Sequence, residues 1–141
     1  MEMTVTFIGH SNCYEVSEAI VKREIEKLIK EGVCCFISGG QGGFDRLCAR
    51  CVFELKQKYP YIKNDLVIPY LNFNIFDKKI FDTILYPEGF ENLYFKAAIV
   101  AKNEYLIKNS DVALCYIRHQ WGGAAKTYEK AIKKGITLIN L

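Results

Sequence analysis

Two glycine-rich turns hold the residues with the most chemistry to offer. The first, Ser38-Gly39-Gly40-Gln41-Gly42-Gly43-Phe44-Asp45, directly follows the apolar run Val33 to Ile37. The second, Trp121-Gly122-Gly123-Ala124-Ala125-Lys126-Thr127, shortly follows Val112 to Ile117. A strand that passes through a glycine turn into a helix leaves backbone N–H groups beside the positive end of a helix dipole, which makes a phosphate-sized anion site. Two such turns on one small sheet predict a cleft for a phosphorylated or nucleotide-like ligand. Amides of Gly39, Gly40, Gly42 and Gly43, and of Gly122, Gly123 and Ala124, would hold the phosphate. The first turn lacks the Gly-Lys-Ser/Thr ending of a P-loop, and Gly9-His10-Ser11-Asn12 lacks the G-x-G-x-x-G spacing of a dinucleotide fold. NAD binding and ATP hydrolysis are therefore set aside. Glycines also permit tight turns with no ligand, but two at one sheet edge favour binding.

Several side chains near these turns have two readings each. Asp45, opening a helix, could bond a ribose hydroxyl or a base, or act as a cap on the helix dipole. His10, at a strand end with Gly9, could touch phosphate or move a proton, or be a polar loop residue. Trp121 could stack on a base or sugar, or plug the sheet edge. Glu129 could stabilise an oxocarbenium-like centre at a ribose, or pair with Lys126 or Lys133 one helical turn away. His119 reads as a surface residue. Cys48 and Cys51 form a C-x-x-C on a helix, in line with Phe44, Leu47, Val52 and Leu55, and read as small apolar core residues. Cys34 and Cys35 sit in a strand, where neighbours alternate faces, so no bridge between them is expected; no second cysteine pair stands at zinc spacing, and no metal site is expected.

The elements that must position these residues alternate strand and helix. Strands are predicted over 4–8, 33–37, 66–70, 112–117 and 136–141. Helices are predicted over 14–31, 44–59, 90–109 and 124–134, from apolar spacing and from stops at Gly32, Pro60 and Gly135. Leu71 to Gly89 mixes apolar and charged residues without a clear period. Nearly all-apolar strands in this rhythm imply a parallel sheet covered on both faces, with right-handed crossovers. Ligands on such sheets bind at the carboxyl ends of the strands, where strand order reverses. The expected architecture is a Rossmann-like three-layer α/β/α sandwich with a mostly parallel five-stranded sheet, in one domain over 1–141.

Bulk properties exclude other classes. With 141 residues, half hydrophobic and a quarter charged, the chain supports one ordinary globular core. A net charge of +3 without a dense basic stripe argues against nucleic acid as the partner. No signal peptide and no membrane span are read. Six cysteines without an export signal read as reduced cytosolic thiols. A phosphate ligand could bring Mg²⁺; no other cofactor is expected. Tyr94, Phe95, Ile99 and Val100 offer a candidate homo-oligomer surface.

Taken together, Phe7-Ile8-Gly9-His10, the Gly39 to Asp45 turn, Tyr86-Pro87-Glu88-Gly89, Lys102-Asn103, Ser110-Asp111 and the Trp121 to Thr127 turn resemble the SLOG superfamily over nearly the whole chain. That Rossmann-like group includes YpsA-like, DprA and LOG proteins, and the YpsA-like branch is the nearest in pattern. The resemblance implies an open α/β sheet that binds nucleotide-related ligands, with Phe44 and Glu88 beside the ligand and Lys102 and Asn103 reaching the cleft. Glu88 and Asp45 would read ribose. LOG enzymes, which release a free base from nucleoside monophosphates, carry P-G-G-x-G-T-x-x-E. Aligning the double glycine on Gly122 and Gly123 puts Glu129 at the glutamate, with Trp121, Ala125 and Lys126 where the motif has proline, glycine and threonine. The matching arginine-bearing helix stretch reads Lys102-Asn103-Glu104-Tyr105-Leu106 here. The expected function is therefore binding of a nucleotide or nucleotide-derived molecule, as a sensor or ligand-binding protein. The alternative is a phosphoribohydrolase with Glu129 and Lys102 catalytic.

Overall fold

A computed structural model of the chain describes residues 2–141. The first strand, β1 (Met3–Gly9), runs into a loop and then helix α1 (Glu18–Lys30). That helix starts later than its apolar pattern suggests, because the Ser17 hydroxyl accepts from the Ile20 amide at 3.1 Å and caps it there. Strand β2 (Val33–Ser38) leads through the first glycine turn into α2 (Gly42–Leu55). Strand β3 (Lys63–Val67) follows, three residues earlier than its apolar stretch predicts. A sixth strand, β4 (Thr83–Leu85), lies inside the segment that showed no period. Two single-turn 3₁₀ segments, Lys78–Ile80 and Phe90–Asn92, flank β4. Then come α3 (Phe95–Lys108), β5 (Val112–Tyr116), α4 (Gly123–Lys134) and β6 (Thr137–Asn140).

The sheet thus has six strands rather than five, in the order β4-β3-β2-β1-β5-β6, and every pairing is parallel. The expected α/β layering holds. One face packs Val5, Phe7, Phe36, Val112 and Leu114 against the apolar sides of α1 and α2, including Ile25, Phe44 and Val52. The other packs Ile8, Ala113 and Cys115 against Ile107 of α3 and Ala131 of α4. Cys48 and Cys51 are fully buried in the first of these layers, as core residues.

From β1 the chain steps outward through β2, β3 and β4, then returns to place β5 on the other side of β1. Strand order therefore reverses between β1 and β5, and loops leaving their carboxyl ends diverge to opposite faces. That divergence opens a crevice, where doubly wound sheets bind ligands.

Candidate functional site

A cavity of about 450 Å³ occupies this crevice. Its floor is the end of β1, from Phe7 to His10, continued by Ser11 and Asn12. The α2 side contributes Gln41 and Asp45, α3 contributes Ile99, Lys102 and Asn103, and the start of α4 contributes Gly122, Gly123, Ala124 and Thr127. His119 and Trp121 close it on the β5 side. Such a volume suits a nucleoside-sized ligand.

The two glycine turns differ in what they offer. In the first turn two of the amides are already engaged. The Gly43 N–H donates to the Ser11 carbonyl at 2.9 Å, and the Gln41 N–H donates to Asp45 Oδ2 at 3.3 Å. Its glycines are there for close packing. A Cβ on Gly42 would lie 2.8 Å from the Ser11 hydroxyl, and one on Gly39 would lie 2.8 Å from Lys102 Nζ. Gly39, Gly40, Gly42 and Gly43 do not line the cavity, and Phe44 is fully buried beneath Gly9 rather than facing it.

The second turn is open. Gly122 has φ 94° and ψ 173°, a backbone conformation essentially restricted to glycine. Nothing lies within 4 Å of a Cβ built on Gly122 or Gly123. Among the described residues no acceptor is recorded for the N–H groups of Gly123, Ala124 and Ala125, the orphan donors of a helix start. The anion site expected at both turns is thus available chiefly at α4.

Lys102 supplies the cation. Its side chain is 1 % exposed, its ammonium donates to Gln41 Oε1 and to the Gly39 carbonyl at 3.4 Å, and it sits 5.9 Å above the Phe73 ring. Burial drives its pKa down to about 8, against the opposing pull of Asp45. Burial likewise pushes the Asp45 carboxyl up to about 7, opposed by Lys102, the Gln41 amide and Arg46. Asp45 is therefore both a tie for the first turn and a group that can offer either an acceptor or a proton near neutrality.

Three rings stack along the β5 side. His10 and His119 have centroids 3.7 Å apart at 14°, and His119 and Trp121 repeat the same spacing and tilt. His10 Nε2 accepts from the Arg118 amide at 2.9 Å, which fixes that nitrogen as unprotonated. Burial lowers the His10 pKa, and His119 and Arg118 lower it further. His119 is thus the middle of a stack, in place of the surface residue its sequence suggested. Trp121 is 72 % exposed, so the plug role is filled by the two histidines while the indole caps the stack at the solvent.

Glu88 and Glu129 stand elsewhere. Glu88 is exposed on the loop after β4, at the far edge of the sheet from the crevice. Glu129 is exposed on α4 and lines no part of the cavity. Neither Lys126 nor Lys133 forms an ion pair with it among the described residues; the α4 ion pair is Lys130 with Glu104, at 3.1 Å. Gly9, His10, Asp45, Lys102, Asn103, Trp121, Gly122, Gly123 and Ala124 all border the cavity. Ser11, Asn12, Gln41, Ile99, His119 and Thr127 join them unannounced. Gln41 had a signal, as the one large polar side chain inside a run of glycines. Tyr94, Phe95 and Val100 are exposed on α3 and just before it, while Ile99 turns into the cavity. No helix among the described residues is long and apolar enough to cross a membrane.

A profile described as the YspA SLOG family (YpsA) matches residues 1–137. A UPF0398 protein of Halalkalibacterium halodurans is 30% identical over 123 residues, covering 80% of this chain and 65% of that protein. A UPF0398 protein of Brevibacillus brevis is 25% identical over 127 residues, covering 81% and 66%. The chain spans just under two thirds of the length of both relatives. Among solved structures, DNA processing protein A (DprA) from Streptococcus pneumoniae superposes with a TM-score of 0.72 at 18% identity, over 99% of this chain and 50% of that one. DNA processing protein A from Helicobacter pylori, described for its single-stranded DNA binding mode, gives 0.69 at 19%, over 98% and 64%.

Proposed function

This chain belongs to the YpsA family of SLOG proteins, and from that premise we propose that it binds a nucleotide or nucleotide-derived small molecule, acting as a sensor or ligand-binding protein. The observation that carries the reading is the crevice at the strand-order reversal, where open amides of α4 face the same cavity as a buried lysine. A phosphate at the α4 start would gain backbone N–H donors, the dipole of a twelve-residue helix and the nearby ammonium of Lys102. The exposed indole of Trp121, braced by His119 and His10, supports a role as a platform for a base. Asp45 and Asn103 would read ribose hydroxyls or base edges. Mg²⁺, where used, would arrive with the phosphate, because Asp45 is the one carboxylate among the residues bordering the cavity.

The glycosidase alternative finds less support. Glu129, the carboxylate it needs, is exposed and outside the cavity. A nucleic-acid role has the fold likeness to DNA processing protein A behind it, and a net charge of only +3 against it.

A thermal-shift panel of mono-, di-, cyclic and dinucleotides, with a short single-stranded oligonucleotide alongside, tests the proposal. A ligand at about 100 times its dissociation constant adds about 2.7 kcal/mol of stability. A selective shift with one nucleotide class supports the reading. No shift on folded, ligand-free protein refutes it, and a shift with the oligonucleotide alone, weakening steeply with salt, transfers the site to nucleic acid.

A further inference from the structure

At the opposite edge of the sheet from the crevice, two thiols and a carboxylate converge. Neighbouring residues on a regular strand point to opposite faces, yet Cys34 and Cys35 do not. Val33 and Phe36, three residues apart, both enter the core layer beneath α1 and α2. Two residues between them must therefore face the other way. The cause is a register shift: Met3 of β1 pairs with Val33, but Thr4 pairs with Cys35, leaving Cys34 as an extra residue in the ladder. Such bulges re-aim side chains. As a result the Cys34 and Cys35 sulfurs lie 4.0 Å apart, and Cys35 Sγ lies 3.8 Å from Glu2 Oε2. All three ligand atoms fall within 4.8 Å of one another.

We propose that Cys34, Cys35 and Glu2 form a binding site for a thiophilic divalent cation of the Zn²⁺ type, with water completing its coordination. Tetrahedral Zn²⁺ with bonds near 2.3 Å to sulfur and near 2.0 Å to oxygen requires a sulfur–sulfur edge of about 3.8 Å and a sulfur–oxygen edge of about 3.5 Å. The two measured edges need to contract by only a few tenths of an ångström. Both thiols are half-buried and Glu2 is exposed, so the ion has a way in from solvent. Lys63 of β3 is registered opposite Cys35 and is the neighbouring cation. Asp65 sits on the same sheet face, registered with Ile37 two residues beyond Cys35, with its Oδ1 buried and unpartnered. A divalent cation binding here would displace the thiol protons. Soft sulfur ligands select Zn²⁺ or Cd²⁺ over Mg²⁺ or Ca²⁺. The bound ion would clamp the start of β1 to β2.

The test is a titration of the whole chain, fully reduced, with Zn²⁺ followed by calorimetry and with Cd²⁺ followed by thiolate-to-metal charge-transfer absorbance. One ion per chain is expected, with no response to Mg²⁺. Cys34→Ser, Cys35→Ser and Glu2→Gln should each weaken binding by roughly tenfold or more. Cys13→Ser, which alters the remaining half-buried thiol, should leave it unchanged. Zn²⁺ should raise the melting temperature of the unaltered chain and of Cys13→Ser, and fail to raise that of Cys34→Ser, whose own melt reports folding. Absence of saturable one-to-one binding overturns the proposal. So does binding that survives loss of either vicinal thiol, that survives Glu2→Gln undiminished, or that disappears with Cys13.

Discussion

Replacing Lys102 by methionine is expected to stabilise the protein and to weaken any phosphate ligand bound in the crevice. The side chain is 1 % exposed, and burial brings its ammonium from 10.5 down to about 8. A displacement of that size, at about 1.4 kcal/mol per pH unit, corresponds to about 3 kcal/mol of cost for holding the charge at pH 7. Methionine fills similar space without that cost, but Gln41 Oε1 and the Gly39 carbonyl lose their donor. Gln41 borders the crevice, where water can replace the donor, and the Gly39 carbonyl loses only a long 3.4 Å contact, so about 1 kcal/mol is a fair charge against the gain. A net stabilisation of about 1–2 kcal/mol follows, or about 3–6 °C in melting temperature for a chain of this size. The pH dependence has a definite sign. Between pH 8 and 10.5 the unfolded chain binds a proton that the folded chain has lost, so the penalty is full below pH 8 and relieved above it. The stability gap between Lys102→Met and the unaltered protein should therefore close by about 1.4 kcal/mol per unit above pH 8. Urea denaturation of both proteins at pH 7 and pH 9.5 measures this directly. A variant less stable than its parent at pH 7, or a gap that ignores pH, would refute the reasoning and make Lys102 a structural tie.

Gly9→Ala should cost about 1–3 kcal/mol, because the added methyl overlaps the buried Phe44 ring; partial rescue by Phe44→Leu in a denaturation series identifies the clash. Gly122→Ala should lose about 1–3 kcal/mol to backbone strain and weaken any phosphate ligand, read by melting and by calorimetry. Trp121→Ala should leave the melting temperature nearly unchanged, given 72 % exposure, yet weaken nucleotide binding by roughly tenfold, as loss of about 1–3 kcal/mol of base stacking implies. Glu129→Gln should change neither binding nor any base-release activity; loss of turnover with binding intact would restore the glycosidase reading.

Layering and strand direction were legible because β1, β2 and β5 are short apolar runs, each followed by an amphipathic helix. β4 was not, since three residues are too few to display a period. β3 was displaced because it begins with exposed Lys63 and then Asn64 and Asp65, polar residues whose burial has tertiary causes. Asn64 earns its place by donating to the Ala49 and Ile80 carbonyls at 3.0 Å, partners that no local pattern reveals. The crevice was legible as a place, through two glycine turns at one sheet edge. Which turn keeps its amides free was not, because the answer depends on Ser11, a residue from a different loop. Likewise the histidine stack depends on β1 and β5 ending side by side, and the vicinal thiols on a register shift invisible in either strand alone.

The order in which the sheet is written into the chain has a consequence for how the protein comes into being. β1, a central strand, precedes the other five in the sequence, yet one of its two neighbours, β5, begins at Val112. The Thr4 amide meets the Asp111 carboxylate across 107 residues of sequence. Until that late segment arrives, β1 has one edge unpaired, and such edges invite association with other chains. Pairings this distant make folding slow relative to stability. During synthesis the α1–β2–α2–β3 half can condense early, but the crevice is assembled from both halves and so is among the last features to appear. A ligand held there therefore reports, by its binding alone, that the two halves of the sheet have come together.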